Sequence, residues 1–322
     1  MMAISANENG ASSRPPRIGL LDTARGAALI AMATYHFTWD MEFMGYLARG
    51  TAEAGWLKIY ARAIASTFLF LAGVSLVLSG TPSIRRQAYL RRLGMIVSAA
   101  ALITAATAIA MPQGAIFFGI LHSIAAASVI GLLFLRMPGI ITIAAGITAV
   151  IAPLYLRSSF FDTPWLWWVG LSQTVPRSND YVPVLPWIGP FLIGMGVSRI
   201  ALKQGWAEWL AKFGTGTTLL AKAGRHSLAI YLIHQPILIS IAYALSITVP
   251  PAKPDPVQTY LQQCQSSCVV QEGEALCRSF CQCTLERLQG ENSFTPLQSG
   301  AIQADKDESV QRIALECSTE AQ

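Results

Sequence analysis

Residues 68–80 read FLFLAGVSLVLSG, a run without a charge, interrupted only by small residues. It belongs to an apolar stretch that begins near Leu57, long enough for the roughly 20 residues a helix needs to cross lipid. Comparable stretches begin near Ile18, Leu93, Ala115, Gly139, Pro183 and His226, so the sequence predicts seven spans. None has the alternation of lipid-facing and lumen-facing residues that a membrane strand barrel requires. Composition agrees: 53% of the 322 residues are hydrophobic, 13% are charged, and the mean hydropathy is +0.45. That is too apolar for a soluble domain of this length. The expected fold is all-α, a polytopic transmembrane helix bundle of about seven spans with a small cysteine-containing helical tail. Residues 165–171 are too short to cross alone and read as an interfacial or re-entrant piece.

Basic residues orient the bundle. With the N-terminus inside, the inner segments carry twelve Lys and Arg and the outer loops only Arg49, Arg157 and Arg177. That bias predicts a cytoplasmic N-terminus, and an odd number of spans then puts the C-terminus outside. Residues 1–17 are expected to form a disordered cytoplasmic tail rather than a cleaved signal peptide, because the first span carries Asp22 and Arg25. Residues 18–250 form the membrane domain and 251–322 a periplasmic tail. All six cysteines lie in that tail, which has five basic and ten acidic residues. Cys264, Cys268, Cys277 and Cys281 form two C-x3-C pairs. Residues four apart share a helix face, so two disulfides would staple two short helices into a hairpin. An oxidising compartment suits that reading better than structural zinc, since the tail has no histidine. Cys317 is expected to be the free thiol, with Cys283 as its alternative, in a final ~30 residues expected to be disordered.

Three further intervals repeat the pattern of one polar or small residue set in an apolar run. They are RIGLLDTARGAALIAMATYHF (residues 17–37), FFGILHSIA (117–125) and AGRHSLAIYLIHQP (223–236). All four histidines fall within them. Ionisable groups are costly in a bilayer and are functional candidates by default. Asp22 and Arg25, three apart, read either as a self-neutralising ion pair or as the wall of a polar cavity. His36 lies eleven residues beyond Arg25, ~16 Å along a helix. Asp40, one turn later, is positioned to orient its ring, a usual general-base arrangement. His122 sits at a similar depth in the fourth span. Arg225 and His226 mark the mouth of the last span, and Ser227, Tyr231 and His234 form a polar stripe at i, i+4 and i+7. Pro236 is expected to kink that helix. The Pro- and Gly-rich PVLPWIGPFLIGMGVSR from Pro183 reads as simple anchoring or as a cavity lining. Trp206, Trp209, Leu210 and Phe213 recur at helical spacing, as on a helix lying at the inner surface. The GTGTT at Gly214 lacks the lysine of a phosphate loop.

LDTARG, FLFLAGVSL and GRHSLAIYLIHQP together resemble the bacterial relatives of heparan-alpha-glucosaminide N-acetyltransferase, a family of multi-span membrane acyltransferases. The resemblance covers most of residues 17–240. It implies acyl transfer from cytoplasmic acyl-CoA, in particular acetyl-CoA, to an extracytoplasmic sugar or glycan. It also implies that a histidine near the outer face assists. The family's histidine in the first luminal loop has no counterpart between His36 and His122, so this role falls to His36. The candidate catalytic set is His36, Asp40 and His122, with Arg62 beside His122 as a candidate oxyanion donor. The candidate donor-binding set is Asp22, Arg25, Arg92, Arg225, His226, Ser227 and His234, and Arg85, Arg86 and Arg91 also suit coenzyme A phosphates. The partners implied are acyl-CoA, the sugar acceptor and membrane lipid in a bacterial inner membrane, with no metal and no nucleic acid; a homo-oligomer stays open. Two other classes remain: a small-molecule transporter, which would also need intramembrane polar groups and broken helices, and an envelope assembly protein binding a partner through its cysteine tail.

Overall fold

The computed structural model describes residues 18–81, 83–212, 217–252, 255–269 and 272–321. The predicted tail 1–17, Phe213 and most of the GTGTT stretch lie outside the described residues. Among those described, every regular element is helical. The chain divides into two compact units, meeting in sequence at Thr248 and Val249.

The first unit contains α1 (Gly19–Phe43), α2 (Gly55–Gly80), α3 (Arg86–Ala110), α4 (Ile120–Phe134), α5 (Gly139–Ile151), α6 (Pro153–Leu156), α7 (Val184–Lys203), α8 (Trp206–Ala211), α9 (Leu219–Arg225) and α10 (Ser227–Thr248). Five helical stretches are long and apolar enough to cross a membrane: α2, α3, α5 continued by α6, α7 and α10. The two other predicted spans are α1, whose 25 residues include Asp22 and Arg25, and α4, an apolar helix of 15 residues. Large apolar side chains such as Ile109 (84% exposed) and Ile140 (75%) face outward, as lipid-covered surfaces require. Residues 165–171 hold a 3-10 turn within the α6–α7 connection.

Helix α7 packs against α2, α4 and α5, and Phe191, Met195 and Leu69 at these contacts are sealed from solvent. The Pro- and Gly-rich segment therefore fills the core. Association inside a bilayer lacks a hydrophobic driving force and relies on close packing over small residues. Gly73 of the FLFLAGVSL run shows this: a Cβ there would sit 2.0 Å from the carbonyl oxygen of Phe191. Helix α10 continues through Pro236 as one helix, with Ser240 donating to the Pro236 carbonyl at 2.6 Å.

The second unit is a helical hairpin of α11 (Pro256–Cys268) and α12 (Glu274–Gly290), followed by α13 (Phe294–Gln298) and α14 (Glu308–Glu320). Disulfides Cys264–Cys281 and Cys268–Cys277 join the hairpin arms, as the spacing predicts. The rest of the tail departs from expectation. Cys317 is bonded to Cys283 and is not free. The final residues form α14, capped by Asp307, which accepts from the Ser309 and Val310 amides. Its apolar face, Val310, Ile313 and Cys317, packs with Leu285, Leu288 and Phe294. Arg287 pairs with Glu316 and Glu320, and Arg312 with Glu291. The acidic composition that suggested disorder is in part the charged face of this small bundle.

Candidate active site

The LDTARG and AGRHS motifs meet where α1 crosses α9. Asp22 is buried and accepts from Arg25 at 3.1 Å, while Arg225 approaches its other oxygen at 3.9 Å. Arg25 also donates to Ser75 of α2. The crossing is close because of two glycines. A Cβ on Gly224 would sit 1.8 Å from the Asp22 carbonyl oxygen, and one on Gly26 would sit 2.1 Å from that of Leu220. The glycines thus bring Arg225 to the Asp22 carboxylate.

Beside this crossing is a cavity of about 460 Å³ lined by Arg25, Arg92, Arg225, His226, Ser227 and Tyr231, with apolar walls from α2, α3 and α4. One carboxylate, Asp22, faces two of its three arginines, so the site keeps a net positive charge. His226 and residues 227–229, the first turn of α10, line it as well, and a helix N-terminus adds unsatisfied N–H groups that favour anions. Six of the seven predicted donor-binding residues gather at this mouth. The seventh, His234, lies deeper on α10.

His36 Nδ1 lies 2.7 Å from His234 Nε2, with ring centroids 4.9 Å apart. His234 Nδ1 lies 2.6 Å from the Tyr231 carbonyl oxygen. A carbonyl only accepts, so His234 carries its proton on Nδ1, and in a neutral ring Nε2 then accepts. His36 must donate through Nδ1, which leaves its Nε2 lone pair free. The tautomers follow from this hydrogen-bond chain. Tyr231 also lines the cationic cavity, so one residue joins the mouth to the histidine pair.

Asp40 does not bond to His36. Its Oδ1 accepts from Gln235 Nε2 at 2.6 Å, while Asp40 Oδ2 and Gln235 Oε1 are buried without a partner. His122 is not joined to His36 either. Its Nδ1 accepts from the Gly119 amide at 3.2 Å and its Nε2 lies 3.3 Å from Thr104 Oγ1, so both nitrogens brace the start of α4. Arg62 is exposed on α2.

Asp180 was not legible as a site residue. It lies in the polar loop before α7 and accepts from the Ile120 amide at 2.9 Å, capping α4. The residue keeps some exposure, but its carboxyl is enclosed, and burial raises its pKa to about 6. It also acts electrostatically on Tyr35 and Tyr231. An aspartate in the turn-rich sequence PRSND reads as solvated surface, and only the tertiary fold turns it inward.

These motifs fall inside one family match. The model of the catalytic domain of heparan-alpha-glucosaminide N-acetyltransferase covers residues 17–236, more than half of the chain. The chain belongs to that family. No curated protein and no solved structure matches it. The heparan-alpha-glucosaminide N-acetyltransferase match begins just before α1 and ends within α10, so it takes in both the cationic mouth and the histidine pair. Membership, together with the apolar helices, makes this a membrane protein with an acetyltransferase-type function.

Proposed function

We propose that the protein transfers an acetyl group from cytoplasmic acetyl-CoA to an amino group or hydroxyl of an extracytoplasmic sugar, with His36 Nε2 as the general base. The observation that carries this reading is the chain His36–His234–Tyr231, which leaves one imidazole lone pair free and ends on Tyr231, a lining residue of a cavity suited to phosphates. The nucleotide phosphates bind Arg25, Arg92 and Arg225 and the first turn of α10, around His226 and Ser227. Asp22 holds Arg25 and Arg225 at the mouth. The thioester end extends past Tyr231 toward the histidines. The acceptor attacks the thioester carbonyl carbon, and its proton passes to His36 Nε2. The bond from carbon to sulfur then breaks, and the proton leaves with the coenzyme A thiol. His234 is a positioning residue here, doing for His36 what a carboxylate does in many base pairs. Asp40, through Gln235, holds the neighbouring turn of α10.

The basic-residue bias supports a cytoplasmic mouth, with the N-terminus inside and the second unit in the periplasm of a bacterial inner membrane. The test uses proteoliposomes loaded with an amino-sugar acceptor and supplied with labelled acetyl-CoA outside. Labelled sugar in the lumen of vesicles with the mouth outward supports the reading. Absence of transfer in either orientation, with acetyl-CoA still unbound at millimolar concentration, overturns it and favours the transporter class.

A further inference from the structure

A second cavity, of about 1030 Å³, opens at the end of the bundle where α2 ends and α3 begins. This exceeds the usual ~300–1,000 Å³ of small-molecule sites. Four cations converge on it from separate stretches of chain: Arg86 at the start of α3, Arg136 in the α4–α5 turn, and Arg199 and Lys203 at the end of α7. Arg199 is held in place by donating to the Met137 carbonyl. Among the described residues no carboxylate pairs with any of the four. The rest of the lining is largely apolar, including Leu135, Leu202 and Leu90, the last of which is 61% exposed.

Cations that only satisfy a positive-inside bias can project into water singly. Here they rim one concave space with an aliphatic floor. That combination fits an anionic headgroup with its chains lying along the helices. The cavity is distinct from the mouth between α1 and α10. A smaller space of about 170 Å³, lined by Tyr89 and Arg92, lies between them and shares residues with each.

We propose that this second cavity binds the phosphate headgroup of an anionic membrane lipid. The shared chemistry is a phosphate ester against an arginine cluster, so a soluble phosphate is the rival source. The proposal does not depend on the acetyltransferase reading.

The test compares full-length protein in nanodiscs of phosphatidylcholine alone with discs that also contain phosphatidylglycerol or cardiolipin. The readouts are lipid retained in native mass spectra and the thermal midpoint. The variant is Arg86→Gln/Arg136→Gln, because both side chains are exposed and, among the described residues, neither makes a hydrogen bond whose loss would unfold the protein. Wild type should retain anionic lipid and melt higher with it. The double variant should melt like wild type in phosphatidylcholine but lose its anionic preference by on the order of tenfold. A third arm adds inorganic pyrophosphate to phosphatidylcholine discs. If pyrophosphate stabilises wild type and anionic lipid does not, the headgroup assignment is overturned in favour of a soluble phosphate. Equal lipid retention by wild type and variant overturns the site itself.

Discussion

The two ends of the contact that α1 makes with α9 and α10 solve one problem in opposite ways. At the mouth, charge is admitted and balanced: Asp22 sits between Arg25 and Arg225, on a crossing made close by Gly26 and Gly224. Deeper in, the partners are two imidazoles and a backbone carbonyl, a chain that carries no charge and leaves one lone pair, on His36 Nε2, unused. An unpaired charge in the membrane interior costs several kcal/mol, whereas a neutral hydrogen-bonded chain costs little. The difference teaches that charged and neutral polar groups can be kept apart along one helix, α1. On the proposed function, charge would select the ligand at the mouth and neutral rings would handle the proton deeper in.

The largest effect tests the deep end. His36→Ala should lower kcat by ~100- to 10,000-fold, the usual cost of a positioned general base. Donor affinity, set at the mouth, should hold. His234→Ala should fall between this variant and wild type, because it frees the tautomer but keeps the base. Steady-state turnover alongside acetyl-CoA titration separates the two. Equal damage from Asp40→Asn and His36→Ala would move the base to the carboxylate and dissolve the comparison.

Next is the crossing that brings the mouth together. Gly224→Ala places a methyl against the Asp22 carbonyl and should cost ~1–3 kcal/mol, as overpacking does elsewhere. Thermal melting in detergent would register it. An unchanged melt would mean that α9 can slide and that the ion pairs, not the glycines, set the approach.

What the sequence discloses follows the same division. Apolar runs of span length are a strong signal: among the described residues they located the five stretches long and apolar enough to cross a membrane, and with them α1 and the shorter α4. The polar groups of the mouth were legible because lipid makes each of them expensive, so mere presence marked Asp22, Arg25 and Arg225. Partnership was not legible. His36 and His234 stand 198 residues apart, and no spacing rule joins them, whereas Asp40, one turn from His36, looked like its partner and bonds to Gln235 instead. In the second unit the C-x3-C spacing revealed the hairpin because helix periodicity sets which cysteines share a face. The Cys283–Cys317 bond spans 34 residues, and the acidic composition concealed the amphipathic α14 that it anchors.

A smaller effect sharpens the mouth. Arg225→Gln removes one of three cavity cations while leaving Asp22 paired with Arg25. Its KM for acetyl-CoA should rise about tenfold with kcat nearly unchanged, the pattern of lost uniform binding. The rise should shrink at high salt, as screening weakens what the charge contributed. A fall in kcat without a change in KM would place Arg225 in the chemistry and erase the separation between the two ends.

The smallest effect concerns Asp180, a carboxyl outside the spans that acts on Tyr231 at the neutral end. Burial raises its pKa from 3.8 to about 6. Between these values the folded protein holds a proton that the unfolded chain has released. Stability from this group is therefore full below about pH 4, falls as pH rises, and levels off above about pH 6. Asn keeps an oxygen for the Ile120 amide but cannot ionise. Relative to wild type, Asp180→Asn should thus gain thermal stability as pH climbs from 4 to 7, and the two should nearly coincide at the acid end. Tm measured across that range gives the answer as a difference, so other titrating groups cancel. If the variant instead loses ground as pH rises, the ionised carboxylate is stabilised at the start of α4. The deep end of the α1–α10 contact would then lie in the field of a fixed negative charge, felt directly at Tyr231, and the neutral character of that end would depend on pH.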